Sequence, residues 1–272
     1  MHKKKFLKTI AVASGTVGLG KTTVAVNLAI AMNRLGRKVM LMDTAFGLRN
    51  IEILLHLSPK YHVQHPPNKA LSLKDILVEG PEGIHTLSAG HGPQELTVLT
   101  ELQRLNILGA IDSCTSDCDV LLIDTASGIL ENIAFFCSAA QEIIILTSPE
   151  HMSIADAAAI INMLYSRYQE KQFHVLVNLA KSDEEALEVF RRLSLATEAC
   201  QSISLDYLGN LPLDGSVQAA VQAQRAFVDL YPRCPASRGI IEIGKKILES
   251  RDKVKGTLQF CIRQLLTAGS PR

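Results

Sequence analysis

Along most of the chain, short runs of consecutive apolar residues alternate with longer stretches in which apolar residues return every three or four positions. The first pattern marks strands covered on both faces, and the second marks the helices that cover them. Strands are expected at Thr9–Ser14, Lys38–Met42, Ile84–Leu87, Val120–Ile123, Ile143–Leu146, Phe173–Val177 and Tyr207–Leu211. Helices are expected at Thr23–Leu35, stopped by Gly36, and at Asp75–Val78, Pro93–Cys114, Ile154–Arg167 and Asp183–Cys200, with more helix to the end. Strand and helix alternate, so the expected fold is α/β: a doubly wound, mostly parallel twisted sheet with helices on both faces. The longest expected loop is Ser58–Lys69, rich in His and Pro.

Composition agrees with one folded domain. The chain has 272 residues, 47% of them hydrophobic and 20% charged, enough for a sizeable core. Six cysteines (Cys114, Cys118, Cys137, Cys200, Cys234 and Cys261) form no CxxC pair, so they read as reduced thiols of a reducing compartment. The basic start runs at once into a glycine-rich loop, unlike a signal peptide, and no stretch has the length of a spanning helix. The expected location is therefore cytoplasmic.

Charge changes the picture at the ends. The net charge is +1, yet Lys3, Lys4, Lys5 and Lys8 give the first eight residues +4. From Lys245 onward seven Lys or Arg face only Glu249 and Asp252, giving +5, and the stretch between the ends is left at −8. Basic ends on an acidic body fit an anionic surface, lipid or nucleic acid; the alternative is solvated ends that keep the protein soluble.

The strongest chemical signal is Gly15-Thr16-Val17-Gly18-Leu19-Gly20-Lys21-Thr22, which fits G-x-x-x-x-G-K-[ST] at every fixed position. It follows an apolar strand and opens a helix, as a phosphate-binding P-loop must. Glycines let several backbone N–H groups converge on phosphate oxygens, and the helix N-terminus adds positive potential. Lys21 is then placed for the β- and γ-phosphates and the Thr22 hydroxyl for Mg²⁺. Asp124 ends the strand Val120–Ile123, where a carboxylate can hold the Mg²⁺ water shell; Asp43 ends another strand. Either carboxylate could instead cap a turn or helix.

Six stretches carry a resemblance to the MinD/ParA family of dimerising ATPases, and within it to the flagellar (FlhG) branch that regulates flagellar number and position. They are SGTVGLGKTT at 14–23, DTAFGLRNIEILL at 43–55, LLIDTASGI at 121–129, TSPEHMSIADA at 147–157, VNLAKSDEEALEVFRRLS at 177–194, and residues 204–240. The first three are common across the family, and the last two point to the flagellar branch. The resemblance implies ATP or ADP with Mg²⁺ as cofactors, an ATP-dependent homodimer, and catalytic roles for Lys21, Asp43 and Asp124. Thr22, Asp43 and Asp124 would serve the metal. Gly15, Thr16, Gly18, Leu19, Gly20, Lys21, Thr22 and Thr23 would hold the phosphates. Asn178 would read the adenine edge, with Pro212 and Asp214 bordering the base. Asp124–Gly128 matches the segment that senses the γ-phosphate.

The chain departs from that pattern twice. Family members carry a lysine just after the first P-loop glycine, used by the partner subunit's nucleotide; here it is Thr16. They also place a carboxylate two residues after the Asp that corresponds to Asp43, where it orients the attacking water; here it is Ala45. Thr cannot supply the charge and Ala cannot fix the water, so hydrolysis is expected to be weak or absent while binding remains. The alternative is that another group compensates.

The resemblance also implies a C-terminal membrane-targeting helix. Val254, Leu258, Cys261, Ile262, Leu265 and Leu266 would share one face of such a helix, with Lys253, Lys255 and Arg263 mostly off it. The alternative is a terminal helix packed on the sheet. The expected division is thus a nucleotide-binding domain at 1–250 and an amphipathic segment at 251–272, held peripherally on the inner face of the cytoplasmic membrane. Partners implied by the branch are the GTPase FlhF, flagellar switch-complex (C-ring) proteins or a flagellar transcription regulator, without specific DNA binding. Relatives activate FlhF with a Gln-containing segment ahead of the first strand; only His2–Lys8 stands there, which puts that activity in doubt. An iron–sulfur relative of the fold would need paired cysteines, and Cys137 has no obvious mate.

Overall fold

The computed structural model describes residues 7–45, 49–58, 77–88, 118–126, 130–198 and 202–250, together with positions 100, 104 and 111. The strands are β1 (Lys8–Ala13), β2 (Val39–Asp43), β3 (Val78–Glu79), β4 (His85–Ser88), β5 (Val120–Asp124), β6 (Glu142–Thr147), β7 (Gln172–Ala180) and β8 (Ser204–Pro212). They form one sheet in the order β3-β4-β2-β5-β1-β6-β7-β8, parallel throughout except for the short antiparallel β3. The helices are α1 (Lys21–Arg34), α2 (Asn50–Leu54), α3 (Leu130–Ala139), α4 (His151–Tyr168), α5 (Asp183–Thr197), α6 (Gly215–Gln222), α7 (Phe227–Leu230) and α8 (Pro235–Glu249).

The continuous apolar runs are explained by two cores. Successive side chains of a strand point to opposite faces, so a strand covered on both sides needs apolar residues at every position. Ala11, Met42, Ile123, Ile145 and Val175 pack under α3, α4 and α5. Ile10, Val12, Leu41, Leu122 and Ile144 pack under α1 and α8 on the other face. α1 is buried along most of its length, which its run of Ala, Val, Leu and Ile requires, and Gly36 follows it in the left-handed region (φ 83°) that a side chain would disfavour. α5 is capped by Ser182, whose hydroxyl accepts from the Glu185 N–H, with Asp183, Glu184 and Glu185 in its first turn suiting the helix dipole.

The doubly wound parallel sheet expected from the sequence is the one observed, and each expected strand is present within a few residues. Two helices escaped the pattern: α2 is only five residues long, and α3 has little polar contrast between its faces. The helix expected at Asp75–Val78 is corrected where it is described, since Val78 lies in β3 and its carbonyl accepts from the Thr86 hydroxyl. Most of the expected loop at 58–69 and most of the Pro93–Cys114 helix lie outside the described residues, as do Cys114, Cys200, Cys261 and all of 251–272. Cys118, Cys137 and Cys234 carry thiols, not disulfides. Among the described residues no helix is long and apolar enough to cross a membrane.

The two-sided core makes a direct prediction. Phe173→Ala in β7 removes a fully buried ring and is expected to lower unfolding free energy by about 3–5 kcal/mol. Leu187→Ala on α5, 51% exposed, should change it by no more than about 0.5 kcal/mol. Urea denaturation of both variants measures the contrast.

Candidate nucleotide-binding site

Parallel strands end together, and the loops that follow β1, β2 and β5 converge at the carboxyl edge of the sheet. The loop after β1 is the P-loop. Gly20 takes φ 85° at the start of α1, a conformation open to glycine. Gly15 is needed for a different reason: a Cβ there would lie 2.5 Å from the Cβ of Asp156 on α4. The loop is therefore pressed against α4 from below and opens toward solvent at Val17 and Gly18.

Register places the two candidate carboxylates side by side. Asp43 pairs with Asp124 across β2 and β5, and Val12 pairs with Asp124 across β1 and β5. Both Asp side chains are buried, each residue 2% exposed. The Thr22 hydroxyl donates to Asp124 Oδ2 at 2.6 Å, joining the P-loop to β5. Asp124 Oδ1 is buried and has no hydrogen-bond partner in the protein. Asp43 is fully engaged: its Oδ1 accepts from the Ala45 N–H at 2.8 Å and its Oδ2 from the Ile51 N–H at 3.2 Å. It thereby ties the loop after β2 to the start of α2. Burial, and then the neighbouring Asp43, push the Asp124 carboxyl up to about 7; the Thr22 hydroxyl and Lys21 pull it the other way. Burial raises Asp43 to about 6, against hydrogen bonds from backbone N–H groups.

Lys21 is buried at the first turn of α1, and its Nζ lies 3.3 Å from the Ser14 hydroxyl. Desolvation lowers its pKa, and the charge of Asp124 partly offsets this. A buried ammonium at the N-terminus of a helix is a strong attractor for phosphate. A Mg²⁺ ion fits the same place: Thr22 and Asp124 offer oxygen ligands, and the orphaned Oδ1 of Asp124 is the kind of atom a hydrated hard cation satisfies. When bound, that ion would neutralise phosphate charge. Mg²⁺ on P-loops takes most ligands from phosphate and water, so the lack of a three-residue His/Cys/Asp/Glu group among the described residues does not count against it.

Two cavities meet over the P-loop at Gly18, Gly20 and Thr23. One, about 430 Å³, is mostly apolar and is bordered by Leu19, Asn178, Leu179, Pro212, Asp214 and Phe227. The other, about 620 Å³, is bordered by Lys21, Thr22, Ala45, Thr125 and Ala126. Their chemistry suits a base and a phosphate chain respectively. Asn178 donates from Nδ2 to the Leu19 carbonyl at 2.8 Å, so it also braces the loop. Asp214 caps α6 through the Ser216 N–H at 2.9 Å and accepts from the Ala236 N–H at 3.2 Å. Burial would raise its pKa, but those hydrogen bonds outweigh it and hold the carboxylate low. Of the γ-phosphate sensing segment, Asp124, Thr125 and Ala126 are described; 127 and 128 are not.

The structure also shows partners that the sequence did not reveal. The Thr16 hydroxyl donates to Asp156 Oδ2 at 2.8 Å, so position 16 is engaged within its own chain. Thr44 donates to the Asp124 carbonyl at 2.9 Å and accepts from the Ala126 N–H at 3.0 Å, locking the ends of β2 and β5 together. Ser14 accepts from Lys21 and donates to the Thr16 carbonyl. Asp156 lies inside a quoted motif, yet nothing in its spacing reveals a partner 140 residues away. At Ala45 the phosphate-side cavity has a methyl group and no ionisable one.

Comparison with known proteins adds the family. A family model described as ParA, NUBPL iron-transfer P-loop NTPase, matches residues 5–248. The chain belongs to the ParA/MinD family of P-loop NTPases. It is 36% identical over 262 residues to the antiactivator FleN of Pseudomonas aeruginosa, an alignment covering 96% of this chain and 94% of that protein. It is 25% identical over 237 residues to the flagellum site-determining protein YlxH of Helicobacter pylori, covering 87% and 80%. Both relatives are of the FlhG type. The MinC:MinD cell division complex of Aquifex aeolicus contains a chain with TM-score 0.72 and 24% identity, covering 91% of this chain and 98% of that one, which shows the shared fold. Among the described residues no group of three His, Cys, Asp or Glu could hold a metal ion, and Cys137, on α3, is buried in the core.

The raised carboxylates fix the sign of a pH effect. Groups whose folded pKa lies above the unfolded value stabilise the fold below about pH 4 and lose that contribution as pH rises through about 6 to 7. Nucleotide-free protein is therefore expected to melt at a lower temperature at pH 7.5 than at pH 5. Asp124→Asn should flatten this slope. An equal slope in both proteins, measured by thermal denaturation, would show that the pair does not titrate as described.

Proposed function

We propose that this protein binds Mg²⁺ and ATP or ADP on the P-loop and regulates flagellar number or placement as a nucleotide-dependent dimer that reaches the membrane from the cytoplasm. The nucleotide part rests on the buried Lys21, Thr22 and Asp124 beneath two joined cavities. The flagellar part rests on likeness to FleN and YlxH. A dimer is supported by apolar side chains at the mouth of the site, Val17 at 76% exposure and Leu213 at 65% among them, which a second copy would cover. Membrane attachment is assigned to residues 251–272 on their composition, with 1–250 as the nucleotide-binding unit.

Within the site, Lys21 and the loop N–H groups hold the phosphates, Thr22 and Asp124 hold the metal with Asp43 bracing them from β2, and Asn178, Pro212 and Asp214 border the base. The observation that carries the kinetic side of the proposal is the bond from Thr16 to Asp156. A neutral side chain turned onto its own α4 cannot offer a positive charge to a neighbouring active site, and Ala45 cannot orient water. We infer slow or absent hydrolysis, so that the bound nucleotide acts as a long-lived signal or a fixed part of a scaffold for flagellar partners.

Each missing group corresponds to about 2.7–4 kcal/mol of transition-state stabilisation in comparable systems. Wild-type protein should bind Mg·ATP saturably, and Thr16→Lys with Ala45→Asp should raise its turnover by at least about 100-fold. Steady-state phosphate release measures this. Wild-type turnover equal to that of the double variant would overturn the assignment.

A further inference from the structure

Two short helices that border the phosphate-side cavity end in the same way. After α2 the Leu57 N–H donates to the Glu52 carbonyl at 2.8 Å and the His56 N–H to the Ile53 carbonyl at 3.4 Å. After α6 the Arg225 N–H donates to the Ala220 carbonyl and the Gln224 N–H to the Val221 carbonyl, both at 3.0 Å. This paired pattern needs a left-handed residue just past the helix, a place that usually falls to glycine. α1 follows that preference with Gly36. His56 (φ 51°) and Gln224 (φ 53°) do not, although both are exposed and no burial requires a side chain there.

The two side chains meet each other. Gln224 Nε2 donates to the Ile53 carbonyl at 3.1 Å, and its Oε1 lies 3.1 Å from His56 Nδ1. A carbonyl can only accept, which fixes the orientation of the amide and leaves Oε1 as an acceptor, so the hydrogen sits on His56 Nδ1. By contrast Gln169, left-handed after α4 (φ 59°), turns its amide back on Tyr165 and Ser166 of its own helix. The other ends of the two joined helices are held by carboxylates of the nucleotide site. Asp43 accepts from the Ile51 N–H in the first turn of α2, and Asp214 caps α6 through the Ser216 N–H. The cavity of about 620 Å³ is bordered by Ile53 and Leu54 of α2, by Val221 and Gln224 at the end of α6, and by Lys21 and Thr22.

We propose that Gln224 and His56 form a staple that holds α2 and α6 together beside this cavity and preorganises the nucleotide site. The proposal deepens the nucleotide reading above and rests on it. Both are positioning residues: they act through the helices they join, one leading to Asp43 on the metal side and the other to Asp214 at the base cavity. A wall already in place need not be ordered when nucleotide arrives, so the staple raises affinity. Two left-handed side chains cost stability, and hydrogen bonds exposed to water return only a modest part of it. Removing the staple is therefore expected to harm binding while leaving folding nearly unchanged.

Isothermal titration of the full chain with Mg·ADP, beside thermal melting of the nucleotide-free protein, tests this. Q224G should weaken Mg·ADP binding by about tenfold, the factor that one or two lost hydrogen bonds carry, and should melt within about 3 °C of wild type. Q224N tolerates the left-handed conformation but is one methylene too short to reach Ile53, and should behave the same. H56G loses one of the two contacts and should weaken binding by about threefold. H56G/Q224G should bind no more weakly than Q224G alone. Wild-type affinity in Q224G and Q224N would refute the staple and leave the nucleotide reading standing. Wild-type affinity in H56G beside a weakened Q224G would place Gln224 on the nucleotide directly, and effects that multiply in the double variant would show two separate roles; either result refutes the staple. Affinity that falls only in step with a melting temperature many degrees lower would make the contact structural and refute it as well. If wild type does not bind Mg·ADP, the nucleotide reading falls and the staple with it.

Discussion

The hydrogen bond from Thr22 to Asp124 joins the loop that holds phosphate to the strand that holds charge. It exists because β5 lies between β1 and β2 in the sheet, although β2 precedes β5 in the chain. That order brings Asp124 beside both the P-loop and Asp43, two carboxyl groups buried with one ammonium, Lys21. Such a cluster is tolerable because a proton, or a metal ion with phosphates, offsets the charge. The rest of the carboxyl edge serves it: Thr44 locks β2 to β5, Ser14 and Asn178 brace the loop, and Gly15 lets α4 approach.

The same edge shows how the proposed separation of binding from turnover could be built. Binding uses groups fixed by the sheet and the start of α1. Catalytic help in this family comes from side chains that project out of the loop or sit just past β2. Those are the positions held here by Thr16, turned onto Asp156, and by Ala45. Changing them leaves the cradle intact, since neither contributes to the bond between Thr22 and Asp124. At the far edge of the sheet, Lys8 ties the start of β1 to Ser250 at the end of α8.

Much of this could be read from the sequence because it depends on local rules. Central strands buried on both faces announce themselves as unbroken apolar runs, and the P-loop residues are contiguous. α2 was too short to show a period, and Val78 looked helical because two strand residues carry no pattern of their own. The site's cross-chain contacts were invisible for a different reason. Thr16 with Asp156, Thr44 with Asp124 and Lys8 with Ser250 each join residues distant in the chain, and only the strand order brings them together. Asn178 and Asp214 were found through family likeness, but their bracing of Leu19 and Ala236 needed coordinates.

If Thr16 and Ala45 remove catalysis and leave binding, the site holds a nucleoside triphosphate intact. Wild-type protein can be incubated with an equimolar amount of Mg·ATP, separated by size, and stripped of its nucleotide for chromatography. Protein at twice the monomer mass carrying unhydrolysed ATP is the expected result. Monomer carrying ADP, formed within minutes of mixing, would contradict it.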